Sequence, residues 1–513
     1  MGKVLKRVVA LILLLALVSS AFQVHAAVKG DMNGDGKVKT NDARKIMRIA
    51  SGIDKVDSAT LKKADVNKDG KVTLEDVRQV LCLASDLATK DYLTKITQLS
   101  PKDKHGSSEK YTFCQVTDYC AETLATSPLN DRSNPLYSPL PKGTIDYVTS
   151  GPVNAAGQTY YVLKSGRRVY KNEVKVFTGY KMPNAKAELK NPNYTTKSST
   201  TFYIGLDWRV PFNVRVKPQE YETGYDSRPY NIADGKFTGS YMDITFSYIK
   251  SADGALNFPE SKTIKSCRWI VNSENKTATL RIYFRNAGKF YGYTAYYNSD
   301  NLLVISIKEP VTSLKGRTIE IDPGHGGVQP GAGSGTGVYE KDITYKIALQ
   351  LKSYLEKAGA KVIFSRDDSS SVPEIEERRI TAMKKNPDLF VSIHLDSSST
   401  KSAHGSSVYY YKNYSGPLAY SIAKNLSATD KKEAGYNMKN RGAHFYPFLV
   451  TRIENCPAVL VECGFISNTT AITTPSKGAK SQANCDFKYL NSSVGQKYTA
   501  LGIYNGIVDY FNI

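Results

Sequence analysis

Residues 317–327 read RTIEIDPGHGG, and the fold of the C-terminal region follows from this stretch. Ile319 and Ile321 alternate with Thr318 and Glu320, the period of two that marks a strand, and Pro323-Gly324 ends it. Downstream, residues 342–358 place Ile343, Ile347, Leu351, Leu355 and Ala358 on one helical face. A strand at 361–364, a helix at 373–385, a strand at 389–393, a helix at 418–426, a strand at 458–461 and a helix at 494–511 complete the series. Strands alternating with helices pack as an α/β layer fold around a largely parallel sheet, here predicted over 315–513.

Two histidines sit where these strands end. His325 follows Ile319-Glu-Ile-Asp-Pro-Gly, and His394 follows Phe390-Val-Ser-Ile. Glu462 ends a third strand, Ala458-Val-Leu-Val. In an open parallel sheet the C-terminal strand ends line one crevice, so these three groups are expected to converge. Glu340 heads the helix that begins near Asp342, and the glycine-rich stretch from Gly324 to Gly337 can bring it back to His325. Two imidazoles and one carboxylate with a fourth position open form the ligand set of a catalytic zinc ion (Zn2+). Such an ion lowers the pKa of its water to about 7. A carboxylate outside the metal shell is then needed to take that water's proton and pass it to the leaving nitrogen, and Glu462 is the candidate. His404 and His444 are rival ligands, but neither follows a strand end.

The series Ile321-Asp-Pro-Gly-His-Gly-Gly, Tyr339-Glu-Lys-Asp, Phe390-Val-Ser-Ile-His and Ala458-Val-Leu-Val-Glu-Cys-Gly-Phe-Ile-Ser-Asn resembles the motifs of the zinc-dependent N-acetylmuramoyl-L-alanine amidases, in that family's order. Arg366 and Arg378 also fall where the family has arginines. The resemblance implies that His325, Glu340 and His394 hold zinc and that Glu462 is catalytic. It further implies cleavage of the amide joining the muramic acid lactyl group of peptidoglycan to L-alanine of the stem peptide. Departures are Leu395-Asp396 in place of Ala-Asn, Met383 in place of Asn, and Thr469-Thr470-Ala471 after Asn468 without an acid.

Near the N-terminus, DMNGDGKV at 31–38 recurs as DVNKDGKV at 65–72. Each loop offers oxygens at positions 1, 3, 5 and 12 with glycine at 6, the arrangement of a calcium loop (Ca2+, two sites). The candidate ligands are Asp31, Asn33, Asp35, the Lys37 carbonyl and Asp42, then Asp65, Asn67, Asp69, the Lys71 carbonyl and Asp76. After the loops, Ile46, Met47 and Ile49, then Val80, Leu81 and Leu83, are expected to form apolar helix faces. With Asp at position 12 and no helix before the first loop, the segment resembles a dockerin. That implies calcium-dependent folding and binding to a cohesin on a scaffold protein, with contacts from Thr40, Asn41, Leu74 and Glu75.

Lys3, Lys6 and Arg7, the eleven apolar residues from Val8 to Val18, and small residues ending at Ala26 form an export leader. The apolar run is too short for a bilayer, which takes about 20 residues, so a secreted protein without a transmembrane anchor is expected. Of the formal net charge of +21, the leader contributes three basic and no acidic residues, leaving +18. Such an excess favours anionic wall polymers; nucleic acid is excluded for an exported chain. Seven cysteines are spread thinly. Cys114 and Cys120 are near enough to pair, while Cys456 and Cys463 read as core thiols.

The organisation expected is therefore a leader at 1–26, a small α-helical dockerin at 27–90, an irregular linker at 91–135, an SH3-like β module at 136–182, a β-sandwich wall-binding module at 196–310, and the α/β catalytic domain at 315–513. The rival readings are a zinc peptidase cutting within the stem peptide and a wall-binding protein without turnover.

Overall fold

The structure is a computed structural model. It describes residues 29–55, 57–66, 70–84, 98–124, 137–155, 157–217, 236–367, 370–469 and 485–512. The leader, Asn67 and Asp69, and the side chains of Glu75 and Leu83 lie outside the described residues. The chain divides into two compact units, 1–95 and 96–513.

In the first unit each loop feeds a helix, α1 (Thr40–Ala50) and α3 (Leu74–Ala84). An additional helix, α2 (Ser58–Ala64), stands between them, capped by the Asp57 side chain accepting from the Thr60 N–H. Its lysines and small residues give little apolar periodicity, which hides it in the sequence. The two halves match in detail. Asp42 accepts from the Met32 and Lys39 N–H groups at 3.0 and 2.9 Å. Asp76 accepts from Val66 and Thr73, both at 2.8 Å. The twelfth residue of each loop thus ties the loop's start to its helix. The core is small: Ala43, Ile46, Ala64, Val77 and Val80. Met47 and Leu81, expected on the apolar faces, are 44% and 43% exposed. The buried stripe is shifted one turn toward each helix N-terminus, where the loops close over it.

The second unit begins with strands where a linker was expected. Lys110–Val116 pairs antiparallel with both Ile145–Ala155 and Val174–Tyr180, and the short strands Cys120–Ala121 and Thr123–Leu124 follow it. Thr112 and Gln115 break the apolar pattern, but two flanking partners satisfy its backbone, so the segment is a sheet interior despite its polarity. It belongs to a six-stranded antiparallel sheet. Two five-stranded sheets come next, their first strand starting at Ala185 rather than near 196. Phe202, Ile204 and Ile305 of one and Ile244, Leu280 and Ile282 of the other share one apolar core. Cys114 and Cys120 are separate buried thiols, not a disulfide.

The C-terminal region is built on a six-stranded sheet of β1 (Thr318–Pro323), β2 (Lys361–Phe364), β3 (Leu389–Asp396), β4 (Ser406–Tyr410), β5 (Asn440–Phe445) and β6 (Ala458–Phe465). Their order is β2-β1-β3-β6-β4-β5. All neighbours are parallel except β4 and β6. Helices α4 (Glu340–Lys357), α5 (Ile375–Lys385), α6 (Gly416–Ala434), α7 (Asp486–Leu490) and α8 (Ser493–Phe511) complete it. Ile343, Ile347, Leu351 and Leu355 of α4 are fully buried with Ile319, Ile321, Val391 and Val459. Strands β4 and β5 were not predicted; both are short, and neither SSVYY nor NRGAHF alternates cleanly.

One buried acid gives this region a pH-sensitive stability. Glu320 on β1 is fully buried, neither carboxylate oxygen has a hydrogen-bond partner among the described residues, and the Lys385 ammonium is 3.8 Å away. Burial pushes its carboxyl up to about 7, only partly offset by Lys385. A carboxyl raised in the folded state contributes most below its unfolded value near 4.5, and that contribution drains away as pH rises through 7. Across this window the loss is about 3 kcal/mol. Glu320→Gln should therefore gain in melting temperature on the parent at pH 8.5 relative to pH 5. Parallel melts of the two proteins across pH would disprove this.

Candidate active site

β1 ends with Asp322-Pro323-Gly324 and hands the chain to His325, which takes a left-handed φ of 61°. For a non-glycine residue that conformation has to be held in place by its surroundings, and buried polar groups hold it. Arg378 on α5 donates to Asp322 Oδ1 (2.6 Å), the Pro323 carbonyl (3.0 Å) and the His325 carbonyl (2.8 Å). Arg366 donates to Pro323 O and Lys341 O, both at 3.0 Å. Asp322 accepts from Ser392 at 2.7 Å and from Ser365. Burial would raise the Asp322 carboxyl, but Arg378 and the two hydroxyls outweigh it and hold it below its usual range. One helix and two strand ends are thereby locked around the His325 backbone.

Glu340, the first residue of α4, is 3% exposed and comes back to β1 and β3 as the glycine-rich loop was expected to allow. Its Oε2 lies 3.1 Å from His325 Nε2 and its Oε1 2.8 Å from His394 Nδ1. The Ala332 and Leu395 N–H groups donate to the same two oxygens at 2.9 and 3.0 Å. Burial alone would raise this carboxyl; its bonds to the two imidazoles prevail and keep it well below the usual range. The ligand atoms of His325, Glu340 and His394 lie within 4.8 Å of one another, and among the described residues this is the group of three that could hold a metal.

The donor set fits zinc: two nitrogens and one anionic oxygen gathered on a rigid sheet edge. Backbone shape supports the fit. A Cβ on Gly324 would fall 2.6 Å from His394 Nδ1, inside the space the imidazole fills. Gly324→Ala is accordingly expected to weaken metal affinity about 10- to 100-fold, the range for losing the groups that orient a ligand. Competition with a chromogenic chelator measures this, and unchanged affinity would refute the cradle.

Glu462 lies beside this trio. It is paired in register with His394 on β3 and with Ser407 on β4, so all three side chains project from one face of the sheet. Its Oε2 has no hydrogen-bond partner among the described residues. Burial first, then the charges of Glu340 and Asp396, push the carboxyl well above its ordinary value. A carboxyl so raised binds a proton more readily than an ordinary carboxylate, as a proton carrier must. The rival His444 sits apart, its Nε2 2.9 Å from the Arg441 carbonyl and its ring 5.6 Å from that of Tyr409; neither it nor His404 joins the converging trio.

Sequence reasoning did not anticipate the surroundings of Glu462. Burial and the Asp396 and Glu462 charges raise the Tyr409 hydroxyl, while Arg441 opposes them. The residues come from β3, β4, β5 and β6, and only the Leu395-Asp396 departure hinted at them.

The family model described as N-acetylmuramoyl-L-alanine amidase matches residues 319–509, and that of the dockerin type I domain matches 29–81. The chain is 37% identical over 227 residues to "Probable cell wall amidase LytH" of Staphylococcus saprophyticus, covering 43% of this chain and 68% of that protein. To the protein of the same name in Staphylococcus epidermidis it is 33% identical over 231 residues, covering 44% and 69%. Among solved structures, the catalytic domain of CwlV, an N-acetylmuramoyl-L-alanine amidase from Bacillus (Paenibacillus) polymyxa var. colistinus, is 29% identical with a TM-score of 0.33, covering 38% of this chain and 99% of that one. An N-acetylmuramoyl-L-alanine amidase from Clostridium difficile gives 29% and 0.32, covering 39% and 98%.

Proposed function

The chain belongs to the N-acetylmuramoyl-L-alanine amidase family, and from that premise we propose that it is a secreted, zinc-dependent enzyme that frees intact stem peptides from peptidoglycan and is carried to its substrate by a dockerin. The observation that carries the reading is one row of side chains. His394 and Glu462 pair across β3 and β6, with Glu340 bridging His394 to His325. His325, Glu340 and His394 would hold the zinc ion, which when bound supplies a Lewis acid and a water that ionises near neutral pH.

The chain's own residues do the rest. Glu462, half-buried and outside the trio, takes a proton at Oε2 and delivers it to the amide nitrogen as that nitrogen leaves. The Asp322–Arg378 pair fixes the backbone that aims His325. Glu340, pinned by four hydrogen-bonding partners, keeps its negative charge and orients both imidazoles.

For the repeat module the reading is two calcium sites and a cohesin partner. Thr40, Asn41 and Leu74 begin their helices with exposed side chains, Leu74 at 67%, as a contact surface needs; Glu75 is proposed with them. The calcium donors are Asp31, Asn33, Asp35, the Lys37 carbonyl and Asp42, and their counterparts Asp65, Asn67, Asp69, the Lys71 carbonyl and Asp76. No helix among the described residues is long and apolar enough to cross a membrane. The two β regions are proposed as an SH3-like and a β-sandwich module that hold the wall, including its anionic polymers.

Mass spectrometry of digested peptidoglycan tests the activity. Intact stem peptides released from glycan are expected. Peptides cut within the stem would instead mean a zinc peptidase, and no release at all a binding protein.

A further inference from the structure

Against β4 and β5 lies a cleft of about 500 Å³ whose walls include Ser407, Tyr409, Lys439, Arg441, His444 and Tyr446. It opens on the face that carries Glu462. Ser407 pairs with Glu462, and Tyr409 two residues on pairs with His444. The β4–β5 register shifts between Ser406 and Val408, so Arg441 and Gly442 form a bulge opposite Ser407. Gly442 supports that bulge with a φ of 100°, and its N–H donates to Asn440 Oδ1 at 2.8 Å. Bulges beside active sites re-aim a side chain. Here the side chain is Arg441, whose guanidinium rests 5.1 Å from the Phe465 ring centroid, at the end of the strand that bears Glu462.

No lining residue of the cleft is acidic, and Lys439 and Arg441 stand on its rim; the Arg441 charge also reaches Asp396 beyond it. The metal trio's side of the same crevice carries Glu340, Asp396 and Glu462. Tyr409 and Tyr446 meet edge to face at 6.2 Å and form an aromatic wall. A cationic, aromatic pocket fits a chain of alternating carboxylates and short aliphatic groups. On the proposed substrate that description suits the peptide side of the scissile amide and not the glycan side, where the lactyl carboxyl is already consumed in the bond.

Resting on the amidase reading, we propose that this cleft binds a carboxylate of the stem peptide on the leaving-amine side, with Arg441 and Lys439 as the residues that recognise it. The pocket sets which stems are accepted: free acids bind, amidated stems bind weakly. Binding is tested apart from turnover, by fluorescence anisotropy of a labelled free-acid stem peptide on the zinc-loaded full chain, against the same peptide with its carboxyls converted to carboxamides. The parent should prefer the free acid about tenfold, as one well-placed ion pair allows. Lys439→Met/Arg441→Met should erase that preference while keeping the parent's melting temperature, since both side chains are exposed. Equal affinity of the parent for both peptides, or a preference unchanged in the double variant, would overturn the assignment. Digestion of whole walls by the parent, run in parallel, reports separately on the amidase reading.

Discussion

Glu462→Gln should abolish stem-peptide release while zinc content stays at the parent's level. Glutamine keeps the shape of the side chain and loses only the ability to carry a proton. Because Glu462 is outside the converging trio of His325, Glu340 and His394, metal affinity has no reason to fall. Removing a positioned proton carrier costs about 10²- to 10⁴-fold in rate, and the loss should appear in kcat with KM little changed. Stability should hold or rise, because the fold penalises this carboxylate through burial and through its neighbours Glu340 and Asp396. Activity within tenfold of the parent would sink the assignment. Loss of zinc together with activity would show that Glu462 is a ligand instead.

Much of this centre could be read from residue order, and the reason is geometric. Parallel strands present their C-terminal ends along one edge, so a histidine or glutamate just after an apolar run has a defined address without any tertiary information. His325, His394 and Glu462 have that signature. Glu340 needed one further step, the glycine-rich loop that allows a return. What stayed hidden depends on partners distant in the chain. Arg378 stands out in the sequence only through the family resemblance, and nothing in its charged helix marks it as 5% exposed and bound to Asp322. The cleft at β4 and β5 was invisible because those strands lack clean alternation, and β5 gains its register only from β4, which in turn pairs with β6. The segment taken for a linker failed for the same reason: Lys110–Val116 is a strand because of Ile145–Ala155 and Val174–Tyr180 beside it, not because of its own pattern. Repetition made the first unit legible, since two loops in one register pointed to the same candidate ligand positions, but it concealed α2, which has no counterpart in the repeat.

Withdrawing calcium should unfold the first unit and leave the second intact. The reasoning starts from how little holds that unit together. Ala43, Ile46, Ala64, Val77 and Val80 are its buried apolar cluster among the described residues, two of them alanines. A core of that size does not offset the chain entropy of the 52 described residues of this unit, and small modules of this kind depend on a metal or a crosslink. The loops add to the problem when calcium is absent. Asp31 and Asp35 crowd one short turn, and the Lys39 ammonium, 2.6 Å from Asp35, is an exposed and therefore weak counter-charge. Calcium ions held by the folded loops would neutralise these carboxylates. At a hundred times the dissociation constant each site would contribute about 2.7 kcal/mol, so two sites supply most of what a module of this size has. Hydrogen exchange on the full chain, with EGTA present and zinc resupplied, gives the measurement. Amides in α1 and α3 should lose their protection, whereas those of β1, β3 and β6 should keep it. Protection of α1 and α3 that persists in EGTA would show that the small core suffices and that the aspartates are not a folding requirement.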